Sequence, residues 1–80
     1  MCSDIRLKRD IVVLGRLDNG LVLYRFRYLW SDQVFVGVMA QEVAEVVPEA
    51  VGVDPAGYMY VDYGRLGLRM QTWEEWASTH

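Results

Sequence analysis

The sequence predicts an α+β fold, with a small antiparallel sheet, a short helix after its central strand and a C-terminal helix that packs against other copies of the chain. Three observations predict it. Tyr24, Phe26, Tyr28 and Trp30 recur at a spacing of two, with Arg25 and Arg27 between them, the period of a strand with two unlike faces. The apolar run Val34 to Ala40 passes directly into Val43, Val46 and Val47, which have helical spacing. Near the end, Leu66, Met70, Trp73 and Ala77 are spaced four, three and four, as in a heptad seam.

Taken in order, residues 3–17 carry Ile5, Leu7, Ile11 and Val13 alternating with charge, as a half-buried strand does. Asp18-Asn19-Gly20 then signals a turn. Residues 21–30 form the aromatic strand, whose ringed face belongs in a core or a subunit interface. After Ser31-Asp32-Gln33, the run Val34 to Ala40 reads as the central, doubly covered strand, and Gly37 within it implies close packing or a bulge. Gln41 to Val47 reads as a helix with Glu42 and Glu45 facing outward, limited by Pro48. Ala50 to Val53 and Tyr58 to Tyr63 flank Asp54-Pro55-Ala56-Gly57, a type I turn, so they form a hairpin. Arg65 to Ala77 is expected as the last helix, with Trp76 beside its seam.

Residues 1–80 read as a single domain. A chain of this size buries only about 60% of the surface it exposes when unfolded, so its core needs help. Cys2 is the sole cysteine, which leaves no disulfide, and one Cys with one His cannot supply a zinc ligand set. No metal or cofactor is expected. Apolar residues are in surplus, at roughly 55% counted with glycine and without tyrosine against an average of about 45–50%. Association with other copies is the remaining support. A net charge of −3 argues against nucleic acid or an anionic membrane as partner. No apolar run approaches the roughly 20 residues of a membrane span, and charges from Asp4 onward leave no signal-peptide core. The chain therefore reads as made in the cytosol.

Chemistry concentrates in Cys2-Ser3-Asp4-Ile5-Arg6-Leu7-Lys8-Arg9, a serine followed five residues later by a lysine. With Gly37-Val38-Met39-Ala40-Gln41-Glu42-Val43 and Gly57-Tyr58-Met59-Tyr60-Val61-Asp62-Tyr63 following in order, the chain resembles, from Ser3 to about Trp76, the peptidase S74 family. These are the C-terminal intramolecular chaperone domains of endosialidase tailspikes and phage tail fibres. The resemblance implies self-cleavage between Cys2 and Ser3 by a Ser3–Lys8 dyad. It also implies a homotrimer in which the C-terminal helix packs, an upstream fibre or stalk domain of the same polypeptide as partner, and folding of that stalk before release. Location would be the host or bacterial cytoplasm during assembly, the parent protein belonging to a virion tail fibre or cell surface. Asp4, Arg6, Gln41 and Glu42 are supporting candidates, and Gln41 and Glu42 could hold backbone groups at the strand-to-helix corner. The chain departs from the family at both ends. Only Met1-Cys2 precede Ser3, and Trp76 to His80 stand where relatives carry a long coil, which points to a compact or trimmed variant.

Serine attacks only once a base takes its proton, and lysine serves only when neutral, about three units below its usual pKa at pH 7. Burial lowers that pKa, and Arg6 and Arg9 could lower it further while Asp4 and Asp10 oppose them. Five residues is about 140° around a helix and the opposite face of a strand. Ser3 and Lys8 therefore meet only across a turn or bulge, or between neighbouring chains. The expectation adopted is that assembly of three copies brings them together. Cys2, on the departing side, has no base in view as a nucleophile. An oxyanion donor is needed and no residue declares itself, while His80, the only histidine, lies at the chain end. The competing readings are a non-catalytic trimerisation or fibre-tip module and, against the acidic charge, a small DNA-binding domain built on Arg6, Lys8 and Arg9.

Overall fold

The computed structural model describes Met1–His80 as an α+β domain of two small antiparallel sheets and two helices. Strands β1 (Lys8–Arg16), β2 (Val22–Tyr28), β3 (Val34–Gly37) and β6 (Gln71–Thr72) form one sheet in the order β1-β2-β3-β6. Strands β4 (Val51–Val53) and β5 (Met59–Val61) form the other. Helix α1 (Ala40–Val46) follows β3, and helix α2 (Trp73–Ala77) closes the chain. No helix is long and apolar enough to cross a membrane.

The predicted hairpin forms where the turn chemistry lies. The Asp54 carboxylate accepts from the backbone of Ala56 and Tyr58, and Gly57 takes the positive φ of 90° that other residues resist. Residues 1–3 lie along the free side of β5. Val61 N–H donates to the Met1 carbonyl at 2.8 Å and Ser3 N–H donates to the Met59 carbonyl at 3.2 Å, with Cys2 opposite Tyr60 between them. One core gathers Leu21, Val38, Ala40, Val43, Ala50, Val61 and Tyr63 between α1 and the two sheets. A second, smaller one holds Phe26, Tyr28 and Met39.

Four expectations need correction. The helix foreseen over Arg65 to Ala77 is confined to Trp73–Ala77. Gly67 adopts a left-handed conformation (φ 69°) that ends a single turn at Gly64–Leu66, and Gln71–Thr72 pair with β3 instead. Leu66 and Met70 therefore share no helix with Trp73, and the heptad seam does not exist as one surface. A capping box starts α2, with Thr72 Oγ1 accepting from Glu75 N–H and Glu75 accepting from Thr72 N–H. Residues 3–17 are not one alternating strand. Ile5–Leu7 form a 3-10 turn, and Ile11, Val12 and Val13 on the outer strand are all exposed. Register shifts between Arg9 and Val12 and between Val13 and Gly15, with Asp10 at φ 54°, break the alternation. The apolar run ends as a strand at Gly37, and Met39 leads into α1. Finally, the aromatic face is buried at Phe26 and Tyr28, but Trp30 lies beyond the strand end, exposed and stacked on Tyr28.

Gly37 fits the close-packing expectation. A Cβ there would run into the Tyr63 hydroxyl and come within 3.4 Å of the Phe26 ring. That hydroxyl is fixed by bonds to Val38 N–H and Ser3, so it cannot step aside. Gly37→Ala should cost about 1–3 kcal/mol in urea unfolding, as overpacking does. Tyr63→Phe in the same chain removes the obstructing atom, so the double variant should lose less than the two single losses combined.

A buried serine–lysine pair

The candidate site begins with Asp4, which is fully buried as a residue. Its carboxylate caps the 3-10 turn by accepting from Arg6 N–H at 2.9 Å. It also accepts from the Arg6 guanidinium (Nε 3.0 Å, Nη2 2.8 Å), from Gln41 Nε2 at 2.8 Å and from Met59 N–H at 2.9 Å. The Arg6 guanidinium, seconded by the backbone and Gln41 donors, holds the Asp4 carboxyl well below the usual carboxylate range, although burial works against it. Gln41 Oε1 in turn accepts from Ile5 N–H, a backbone group of the N-terminal turn. Glu42 accepts from the Tyr24 hydroxyl and stays away from Ser3 and Lys8. Arg6 extends outward to the Gly57 carbonyl and the face of Tyr58.

The turn over Ile5–Leu7 reverses the geometry that a regular element would impose. It delivers Lys8 back to Ser3 of the same chain, with Nζ donating to Oγ at 3.0 Å. Neither a neighbouring chain nor assembly is needed to bring the two atoms together, which corrects the expectation that three copies are required. Ser3 is fully buried and Lys8 is 6% exposed. Both donate to the Val38 carbonyl, Ser3 Oγ at 2.8 Å and Lys8 Nζ at 2.8 Å. The Tyr63 hydroxyl accepts from Val38 N–H at 3.1 Å and sits 3.2 Å from Ser3 Oγ, where its own proton can point. Beneath Nζ lies the Phe26 ring, with its centroid 4.0 Å away.

Burial pushes the Lys8 amine down to about 7, against the opposing influence of Cys2 and Asp4. The flanking arginines do not drive this shift, contrary to expectation. Arg6 is paired with Asp4, and Arg9 with Asp10 and Asp32, so their charge is spent elsewhere. The Cys2 carbonyl, the acyl group ahead of Ser3, accepts from the Tyr28 hydroxyl at 2.5 Å. Burial raises the pKa values of both Tyr28 and Tyr63. His80 stacks on Trp76 and has no part in the cluster. No group of three or more His, Cys, Asp or Glu side chains is placed to hold a metal ion. Sequence reasoning missed Tyr28, Tyr63 and the Val38 carbonyl. Tyr28 was submerged in the aromatic stripe, and the other two lie in the very segments that carried the resemblance.

The α+β domain thus holds a buried serine hydroxyl in contact with a buried lysine amine whose pKa falls to about 7. The model of the peptidase S74 family, described as chaperone of endosialidase, matches residues 3–52, and the chain belongs to that family. Its class is a chaperone acting within a larger polypeptide, and at family level an autoproteolytic serine peptidase. The match takes in Ser3, Lys8, Gln41 and Glu42 and stops short of the Gly57 to Tyr63 segment. No curated protein and no solved structure gives a significant match to the chain.

The buried amine has a consequence for stability. Lys8 binds its proton more weakly folded (about 7) than unfolded (10.5), so between those values the unfolded chain holds more protons and stability rises with pH. The gain should be on the order of a few kcal/mol from pH 7 towards 10. Above 10 the raised Tyr28 and Tyr63 pull the other way, because the unfolded tyrosines ionise first. Urea unfolding at pH 7 and pH 9 should show the rise, and Lys8→Met should flatten it.

Proposed function

We propose that this chain is an intramolecular chaperone that supports trimerisation and folding of an upstream fibre or tailspike segment and then releases itself by cutting between Cys2 and Ser3. The observation that carries the reading is the 3.0 Å contact between Ser3 Oγ and a buried Lys8 amine whose pKa falls to about 7. At that pKa about half the lysine is neutral at pH 7 and able to take the serine proton.

Neutral Lys8 accepts the hydroxyl proton as Ser3 Oγ bonds to the Cys2 carbonyl carbon. The tetrahedral intermediate collapses by breaking the bond to the Ser3 nitrogen, to which the lysine returns the proton. The Cys2 acyl group is then an ester on Ser3. Water attacks this ester with Lys8 again as base, and the lysine returns the proton to Ser3 Oγ as the acyl–oxygen bond breaks, leaving a carboxylate on Cys2 and the hydroxyl of Ser3 restored beside its free amine. Tyr63 and the Val38 carbonyl are positioning groups that hold the hydroxyl against the amine.

Association is supported by what the fold leaves uncovered. Ile11, Val12 and Val13 on β1, together with Leu29 and Trp30, remain exposed on a domain with only 15 buried residues. A trimer would cover these side chains and supply the support that the small core lacks.

The test is the chain expressed with an affinity tag ahead of Met1, followed by intact mass. Wild type should lose everything before Ser3, while Ser3→Ala and Lys8→Ala should stay whole. The rate should rise with pH through a midpoint near 7 and level off above it, as neutral lysine accumulates. Because the pair meets within one chain, mixing Ser3→Ala with Lys8→Ala chains should restore no cutting. A wild-type chain that stays intact, assembled or not, overturns the cleavage reading and leaves a purely associative module.

A further inference from the structure

The Cys2 carbonyl is held in an unusual way for a group on a strand-like segment. Residues 1–3 pair with β5 through the Met1 carbonyl and the Ser3 N–H, so the backbone groups of Cys2 between them face away from β5. The Cys2 oxygen thus points into the domain. There it meets no backbone N–H, and its sole donor is the hydroxyl of Tyr28 at 2.5 Å.

Tyr28 is built to stay there. It is 7% exposed, packed edge-on against Phe26 (5.3 Å between centroids) and Phe35 (5.6 Å), and covered by Trp30 at 4.8 Å. Its ring also walls the cavity of the amine, with Lys8 Nζ 5.9 Å from the ring centroid. The acyl oxygen and the nucleophile's base are therefore handled by different groups of one aromatic wall.

We infer that Tyr28 is a catalytic residue of the self-cleavage, the donor that stabilises the oxyanion on Cys2. This rests on the cleavage reading above. When Ser3 Oγ adds to the Cys2 carbon, the π electron pair moves to the Cys2 oxygen, and the phenol proton, already directed there, strengthens its bond as charge builds. Collapse returns the pair to the carbonyl as the bond to the Ser3 nitrogen breaks. The same donor serves again when water adds to the ester, and the phenol keeps its proton throughout. Burial raises the phenol's pKa and so keeps it a donor across the pH range in which Lys8 becomes neutral. The shortness of the contact in the ground state means that little rearrangement is needed when the oxyanion forms.

The test is Tyr28→Phe in the tagged full chain, beside wild type and Ser3→Ala. The ring, and with it the burial of Lys8, is retained. The expected result is cleavage slowed by about 10²- to 10³-fold with the pH midpoint still near 7. An unchanged rate overturns the assignment while leaving the serine–lysine reading intact. A slowed rate with a displaced midpoint also overturns it, because Tyr28 would then act by placing Lys8. A wild-type chain that is never cut removes the reading on which the assignment rests. Should Tyr28→Phe fail to fold, 3-fluorotyrosine at position 28 keeps the shape and makes a stronger donor. It should change the rate severalfold without moving the midpoint, and an unaltered rate overturns the role.

Discussion

The buried Asp4 carboxylate is the constraint on which the rest of the site depends. An unpaired buried carboxylate is intolerable in a protein interior, and five N–H donors converge on this one from Arg6, Gln41 and Met59. Those donors belong to the turn, to α1 and to β5. Satisfying one charge therefore welds the N-terminal segment to the helix on one side and to the hairpin on the other. Ser3 and the Cys2 carbonyl on one flank, and Lys8 on the other, inherit their positions from that weld. Asp4 is two elements' worth of tertiary structure carried by a single side chain, and its place next to the nucleophile is architectural.

A second economy is visible in how the amine is tuned. Lys8 is not made neutral by repulsion from neighbouring cations, which would raise the local charge and draw in water. Removal from water lowers its pKa to about 7, even though the face of Phe26 and the Val38 carbonyl favour the protonated form. The free energy spent on burying the amine is the same quantity that lowers its pKa, so reactivity and strain are one term. Gly37 belongs to the same device, since its missing side chain gives the Tyr63 hydroxyl room to brace Ser3.

Much of the architecture was legible because it is written in short-range chemistry. The Asp54 to Gly57 turn, the α1 spacing and the period-two ring face of β2 each depend on neighbours in sequence. The C-terminal segment was misread because Leu66, Met70, Trp73 and Ala77 do fit a helical period. What decided the matter was a left-handed Gly67 and a ladder with β3, a partner more than 30 residues away in sequence. Ser3 and Lys8 could be chosen from their spacing and resemblance, and helix and strand geometry showed only that a turn, a bulge or a second chain had to bring them together. That the turn would suffice without a second chain could not, because the cap formed by Asp4 is completed by Gln41 and Met59. Tyr28 and Tyr63 looked like any other ring until the fold set one hydroxyl on the Cys2 carbonyl and the other beside the Ser3 side chain.

The irregularity of β1 has a bearing on how copies of this domain can meet. An edge strand carrying Ile11, Val12 and Val13 in the open is a template for further strands, and a flat one would invite runaway fibrils. Two register slips and the left-handed Asp10 corrugate that rim, so its hydrogen-bonding groups no longer lie in a straight row. The oily surface stays available for side chains to nestle against, but a newcomer cannot zip on along the backbone. Such a border works against endless stacking through that strand.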